Sequence, residues 1–218
     1  MTRAALRRTL RFGVLLSALG LLLLLLPSAA RAGREFEVTP SAGFRFGGTL
    51  SESTTGGVLT VGESAGFGLT LGLRESPRTL YELVYRFQRT DLIGEEGTGE
   101  APPRTDMDIH CLQIGSAYEF DQARIRPFIS AGLGLTTLVP GGAGEDSSTN
   151  FSLSLGGGVK IPFTERTGLR LEGRGYLTLL ESGTEIFCIS SGGVSCAVGV
   201  QGDFFGQFEV QAGIYVLL

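Results

Sequence analysis

The chain has no tryptophan, one histidine and three cysteines in 218 residues. A single histidine and so few thiols leave no ligand cluster for a zinc site, and neither a metal nor any other cofactor is expected. Basic excess is lacking as well: 18 Lys and Arg face 22 Asp and Glu, a formal charge of −4. That balance argues against nucleic acid as a partner. Only one long apolar run exists, from Gly13 through Leu26. After it nothing approaches the roughly 20 consecutive apolar residues that a membrane-spanning helix needs.

The N-terminus carries Arg3, Arg7, Arg8 and Arg11, then the apolar run, then "PSAARA". A basic segment, an apolar core and a small-residue site make up a secretory signal peptide, with Ala30-Arg31-Ala32 as the cleavage site. Residues 1–32 are therefore read as a leader and residues 33–218 as one exported domain. Removing the leader takes away Arg3, Arg7, Arg8, Arg11 and Arg31 and no acid, which leaves 13 basic and 22 acidic side chains, formally −9. Export implies an oxidising compartment. Cys188 and Cys196 enclose the seven residues "ISSGGVS" and form a candidate disulfide across a hairpin tip, leaving Cys111 odd.

Glycine is abundant, at 34 residues, and helical periodicity is hard to find past residue 33. Period-two alternation recurs instead. It predicts eight strands over 35–48, 58–74, 79–90, 107–120, 126–138, 149–162, 168–181 and 202–217, each longer than the usual globular strand. Their connections alternate in length. Short turns "ESPR", "DQARI" and "FTERT" follow the second, fourth and sixth strands, whereas long polar loops follow the first, third, fifth and seventh. A transmembrane barrel sorts its connections this way, with short periplasmic turns and long external loops on an even number of strands.

The two faces of each strand differ in kind. In the third strand Tyr81, Leu83, Tyr85 and Phe87 oppose Glu82, Val84, Arg86 and Gln88; in the sixth Phe151, Leu153 and Leu155 oppose Ser152, Ser154 and Gly156. The apolar face resembles a lipid-facing surface. The other mixes charge with glycines such as Gly43, Gly68, Gly72, Gly115, Gly132, Gly158 and Gly213. Small residues beside long ones suit a narrow interior, while a water-soluble barrel would put its apolar face inside and solvate the other. The expected fold is all-β: an eight-stranded antiparallel up-and-down transmembrane β-barrel.

The segments "RPFISAGLGLTTL" (126–138) and "FSLSLGGGVKIPFTERTGLRLEGRGYLTLL" (151–180) resemble the small outer-membrane β-barrel proteins of Gram-negative bacteria, the OmpA/OmpX-like β-barrel domain family. The resemblance extends over essentially all of residues 33–218. It implies residence in the outer membrane, contact with its lipids and lipopolysaccharide, and insertion by the barrel-assembly machinery. It also implies a terminal assembly signal of alternating apolar residues closing on an aromatic. Val210, Ala212, Ile214 and Val216 fit, but Leu218 stands where the aromatic belongs. Architecture is implied more strongly than activity, because this fold hosts anchors, adhesins, channels and enzymes.

Parity sends ten charges inward: Glu37, Arg45, Glu82, Arg86, Glu119, Lys160, Arg170, Glu172, Arg174 and Glu209. Five acids among five bases suit an ion-paired plug, since an eight-stranded barrel is just wide enough for side chains to fill and an unpaired buried charge is costly. Catalysis has little to build on. His110 faces outward, and Ser116 on its face lies six residues away, roughly 20 Å along a strand. The expected role of this monomer is structural or surface-interacting and non-enzymatic; a narrow channel for small or apolar solutes and a lipid-modifying enzyme are the alternatives.

Overall fold

The structure, a computed structural model, describes residues 35–51, 58–93, 104–120, 125–141, 147–180, 185–187, 198–199 and 204–218. The expected leader, Cys188 and Cys196 lie outside these residues. In chain order the strands are β1 (Phe36–Phe46), β2 (Thr49–Ser51), β3 (Val58–Val61), β4 (Ser64–Arg74), β5 (Thr79–Ile93), β6 (Arg104–Glu119), β7 (Arg126–Pro140), β8 (Ser148–Pro162), β9 (Thr167–Leu179), β10 (Glu185–Phe187), β11 (Val198–Gly199) and β12 (Phe204–Leu217). Eight of them form a closed antiparallel wall in the order β1, β4, β5, β6, β7, β8, β9, β12, with β12 returning to pair with β1. Neighbours in the wall are neighbours in sequence, the up-and-down arrangement. Closure pairs the backbone of every wall strand on both sides, which hydrocarbon demands.

Short turns close one end. Phe163 N donates to Thr167 O at 2.9 Å, and the Thr164 hydroxyl accepts from Thr167 N at 3.0 Å. The Ser76 hydroxyl likewise accepts from Thr79 N at 3.1 Å. A hydroxyl that satisfies a backbone N–H in this way lets four residues reverse the chain.

One strand differs from its sequence reading. The span 58–74 is two strands, β3 and β4, separated at Gly62 and Glu63. Gly62 N still donates to Asp91 O at 2.7 Å, so the chain keeps its course along β5. What it loses is β1, which turns away at Gly47 and Gly48, both with positive φ (76° and 119°). Beyond that point β3 pairs with β2 instead, and the first long loop begins as a hairpin on the wall. A Cβ on Gly48 would collide with the Phe205 ring, so both backbone and space require glycine there. The fourth long loop also contains a small ladder, β10 against β11.

An apolar band surrounds the wall. Cross-strand rows such as Tyr85, Leu112, Leu135 and Phe151 are apolar throughout. The next outward row toward the long loops is Phe87, His110, Thr137 and Thr149, and above it Arg89 pairs with Asp108 at 2.8 Å. The inward side changes in the opposite sense at the same height, where Val61, Leu92, Met107, Ile109, Leu138, Leu180 and Phe205 form a buried apolar cluster. Polar outside and apolar inside is the pattern of a barrel standing in water. The strands therefore project beyond the lipid.

This band predicts a position-dependent cost of charge. Leu133, at the middle of β7 and 49% exposed, is expected to lose about 2–4 kcal/mol of folding free energy on mutation to Arg, against about 1 kcal/mol or less for Val139→Arg above the band. Urea unfolding in phospholipid vesicles measures the difference; equal costs at the two positions would contradict the band.

Candidate functional site

The interior is filled in tiers. Nearest the short turns, Lys160 Nζ stands 2.6 Å from Glu37 and 2.7 Å from Glu119. Arg74 closes over the same carboxylates at 3.6 and 3.2 Å. Beside them pack Leu80, Ala117 and Phe128. The middle tier is a four-membered ring: Arg170 to Glu82 at 2.6 Å and to Glu172 at 3.0 Å, Arg174 to Glu172 at 2.7 Å and to Glu82 at 3.3 Å. Ser130 and Gln211 donate to Glu172 at 2.8 and 3.0 Å, so its oxygens are fully engaged. Above the ring Arg45 meets Glu209 at 2.9 Å, and the Tyr176 hydroxyl donates to the same carboxylate at 3.0 Å.

All ten inward charges read from parity are buried. Nine of them form ion pairs; Arg86 is the tenth. Its guanidinium donates to the Thr70 hydroxyl and the Tyr85 carbonyl, each at 3.1 Å, but no carboxylate reaches it among the described residues and its Nε has no partner. Space for it comes from Gly68, where a Cβ would run into the guanidinium. The void bounded by Thr70, Arg86, Arg170, Glu172 and Gln211 is too tight for a water molecule. Most of the remaining lone pairs and N–H groups around these ion pairs are hydrogen-bonded too, as burial at this depth requires; Arg45 Nε and Arg170 Nη2, like Arg86 Nε, make no hydrogen bond.

Several interior residues were not singled out from the sequence. Arg74 sits at the very end of β4, where alternation gives no clear side. Tyr176, Tyr215 and Phe128 are aromatic yet share the parity of the charges. Each lies under a cation: Arg45 is 4.6 Å from the Tyr176 centroid, Lys160 5.4 Å from Tyr215 and Arg170 4.5 Å from Phe128. Such rings replace hydration without adding a competing charge. The apolar cap was missed as well, although Met107-Asp108-Ile109-His110 carries its signal, an alternation in reversed phase.

On the outer surface His110 Nδ1 is 2.9 Å from the Tyr85 hydroxyl, and its ring lies 5.1 Å from that of Phe87. Ser116, on the same face, aligns with Tyr81 and not with Tyr85. The structure does not bring His110 and Ser116 together.

A closed eight-stranded wall with an apolar exterior band, an ion-paired interior and long loops at one end defines a small transmembrane β-barrel of the outer-membrane type. The chain belongs to the outer membrane protein beta-barrel domain family, which it matches over residues 17–201. Its fold is similar to that of Neisserial surface protein A (18% identity, 83% of this chain and 96% of that one, TM-score 0.55). It is also similar to OprG from Pseudomonas aeruginosa (11%, 84% and 95%, 0.53) and to AlkL (12%, 84% and 90%, 0.54). No curated protein sequence matches it.

The network predicts opposite outcomes for two buried charges. Glu172→Gln strips a carboxylate from two guanidiniums and is expected to cost about 3–5 kcal/mol. Arg86→Met removes a charge that leaves no carboxylate behind, so stability should be unchanged or higher. Equilibrium unfolding in vesicles measures both, and a large loss in Arg86→Met would refute the assignment.

Proposed function

We propose that this outer-membrane protein is a non-enzymatic, non-conducting anchor that displays its long loops at the cell surface as an interaction platform. The observation carrying this reading is the filled interior: three ion-paired tiers topped by an apolar cap, with no water-sized gap in the central void. A conduit needs a continuous polar path, and the cap interrupts one. Rigidity supports the same reading, because the strands continue past the apolar band and root the loops on a packed, soluble-type barrel end. Binding residues are disproportionately found on loops that a rigid scaffold positions.

In this reading the barrel is monomeric, exported by the leader at residues 1–32, inserted by the assembly machinery and surrounded outside by lipopolysaccharide. The acidic second and third long loops, with Glu95, Glu96, Glu100, Glu145 and Asp146, face a partner at the surface. Cys188 and Cys196 staple the fourth. Backbone pairing of Phe187 with Val198 on either side of them supports that bridge.

Planar-bilayer recordings of the refolded protein are expected to show no conductance above background, while proteinase added to intact cells cleaves within residues 94–103 and leaves a heat-modifiable barrel. Stepwise channel openings in the wild-type protein would overturn the closed-anchor reading. The bridge is checked separately by non-reducing mass spectrometry, in which a peptide linking Cys188 to Cys196 is expected and free thiols at both would exclude it.

A further inference from the structure

The lipid-facing wall is not evenly filled. Tyr81, Ser116, Ala131 and Leu155 are cross-strand partners in one outward row of β5, β6, β7 and β8. Two small side chains thus stand side by side between Tyr81 and Leu155, which are 52% and 72% exposed. The row above, Leu83, Ile114, Leu133 and Leu153, is large throughout. A groove of about 940 Å³ runs along these rows from Phe36 and Leu73 past Tyr81, Ser116 and Ala131 to Leu153, floored by the backbone at Gly115 and Gly132. That volume falls within the roughly 300–1,000 Å³ range of ligand sites.

Its depth decides what occupies it. The groove lies one row from Tyr118, on the short-turn side of the apolar band, so its surroundings are acyl chains and the ester region next to them. The groove also holds two hydroxyls, on Tyr81 and Ser116, and neither has a hydrogen-bond partner among the described residues. A hydroxyl left unpaired in hydrocarbon is unfavourable by about 1–3 kcal/mol or more. An acceptor that arrives with an acyl chain removes the penalty.

We propose that the groove is a resident phospholipid site: one acyl chain of a periplasmic-leaflet phospholipid lies over Ser116 and Ala131, and its ester oxygens accept from the Tyr81 and Ser116 hydroxyls. This rests on the transmembrane placement and not on any role of the loops, so loss of surface binding leaves it untouched. The site distinguishes one sector of the wall from the rest of the annulus. Ala42, on β1 outside this groove, serves as its control.

The test is retention of phosphatidylethanolamine through detergent washing of protein refolded in phosphatidylethanolamine and phosphatidylglycerol vesicles, read by native mass spectrometry. Wild-type protein and Ala42→Phe are expected to keep one bound phospholipid. Ala131→Phe, which fills the groove, should reduce retention about tenfold. Tyr81→Phe with Ser116→Ala keeps the groove and removes both donors, and should reduce it several-fold. Heat-modifiable migration reports that each variant folds, and the hydroxyl pair remains decisive if the bulky variant does not. Equal retention in wild type and both variants, or no retention in wild type, overturns the proposal. So does a wild-type dimer that Ala131→Phe dissolves, because the groove then receives a second copy of the chain.

Discussion

Hydrocarbon offers the backbone no hydrogen-bond partners, and the rest of this structure follows from that constraint. A sheet placed in lipid has to close, since an open edge would leave a column of N–H and C=O groups unpaired. Closing eight strands then fixes the interior at a width that side chains can just fill. Alternation turns one side chain in two toward that interior. The lumen therefore has to be packed from residues whose neighbours along the strand face lipid. Glycine and arginine solve the volume problem together: Gly68 yields the space that Arg86 takes, and Gly66 lies against Glu209.

Charge follows the same logic. A carboxylate inside so narrow a barrel is cut off from bulk water, so it survives only beside cations and donors. The Glu82, Glu172, Arg170 and Arg174 ring does this for two acids at once, and Glu37 connects it loosely to the tier below through Arg170 at 3.9 Å. Sharing matters more than counting, because each carboxylate holds two cations and no single pair can open alone. Arg86 falls outside the sharing. Among the described residues it is the one interior charge whose removal relieves the fold of a desolvated cation without stranding a counter-ion.

Much of this was legible in alternation alone. Parity in β5 separates Glu82, Arg86 and Gln88 from Tyr81, Leu83 and Tyr85, and the lengths of the connections separate the two ends. Partner choice was not legible, since register and barrel stagger decide whether Lys160 meets Glu37 or Glu82. Strand continuity at 58–74 misled for a related reason: alternation persists through Gly62 while the neighbour changes from β1 to β2. The apolar cap was hidden by a change of phase. Met107 and Ile109 lie on the same inward side as Gln113, so a reading that equates apolar with outward assigns them wrongly as soon as the strand leaves the lipid.

The change of phase also explains where the chain keeps its net charge. Five of the 22 carboxylates in residues 33–218 and six of the 13 cations, Arg74 included, sit in the interior tiers, which leaves 17 acids and seven bases for the rims, turns and loops. An interior that neutralises itself contributes almost nothing to the field outside. The surplus negative charge is instead carried where the wall stands in water, along Asp91, Asp106 and Asp108 and the loops above them. Lipid excludes charge from the band, the network cancels it in the lumen, and the apolar cap keeps it from the mouth. The loop end is therefore the part of the molecule where the surplus negative charge acts on the surroundings.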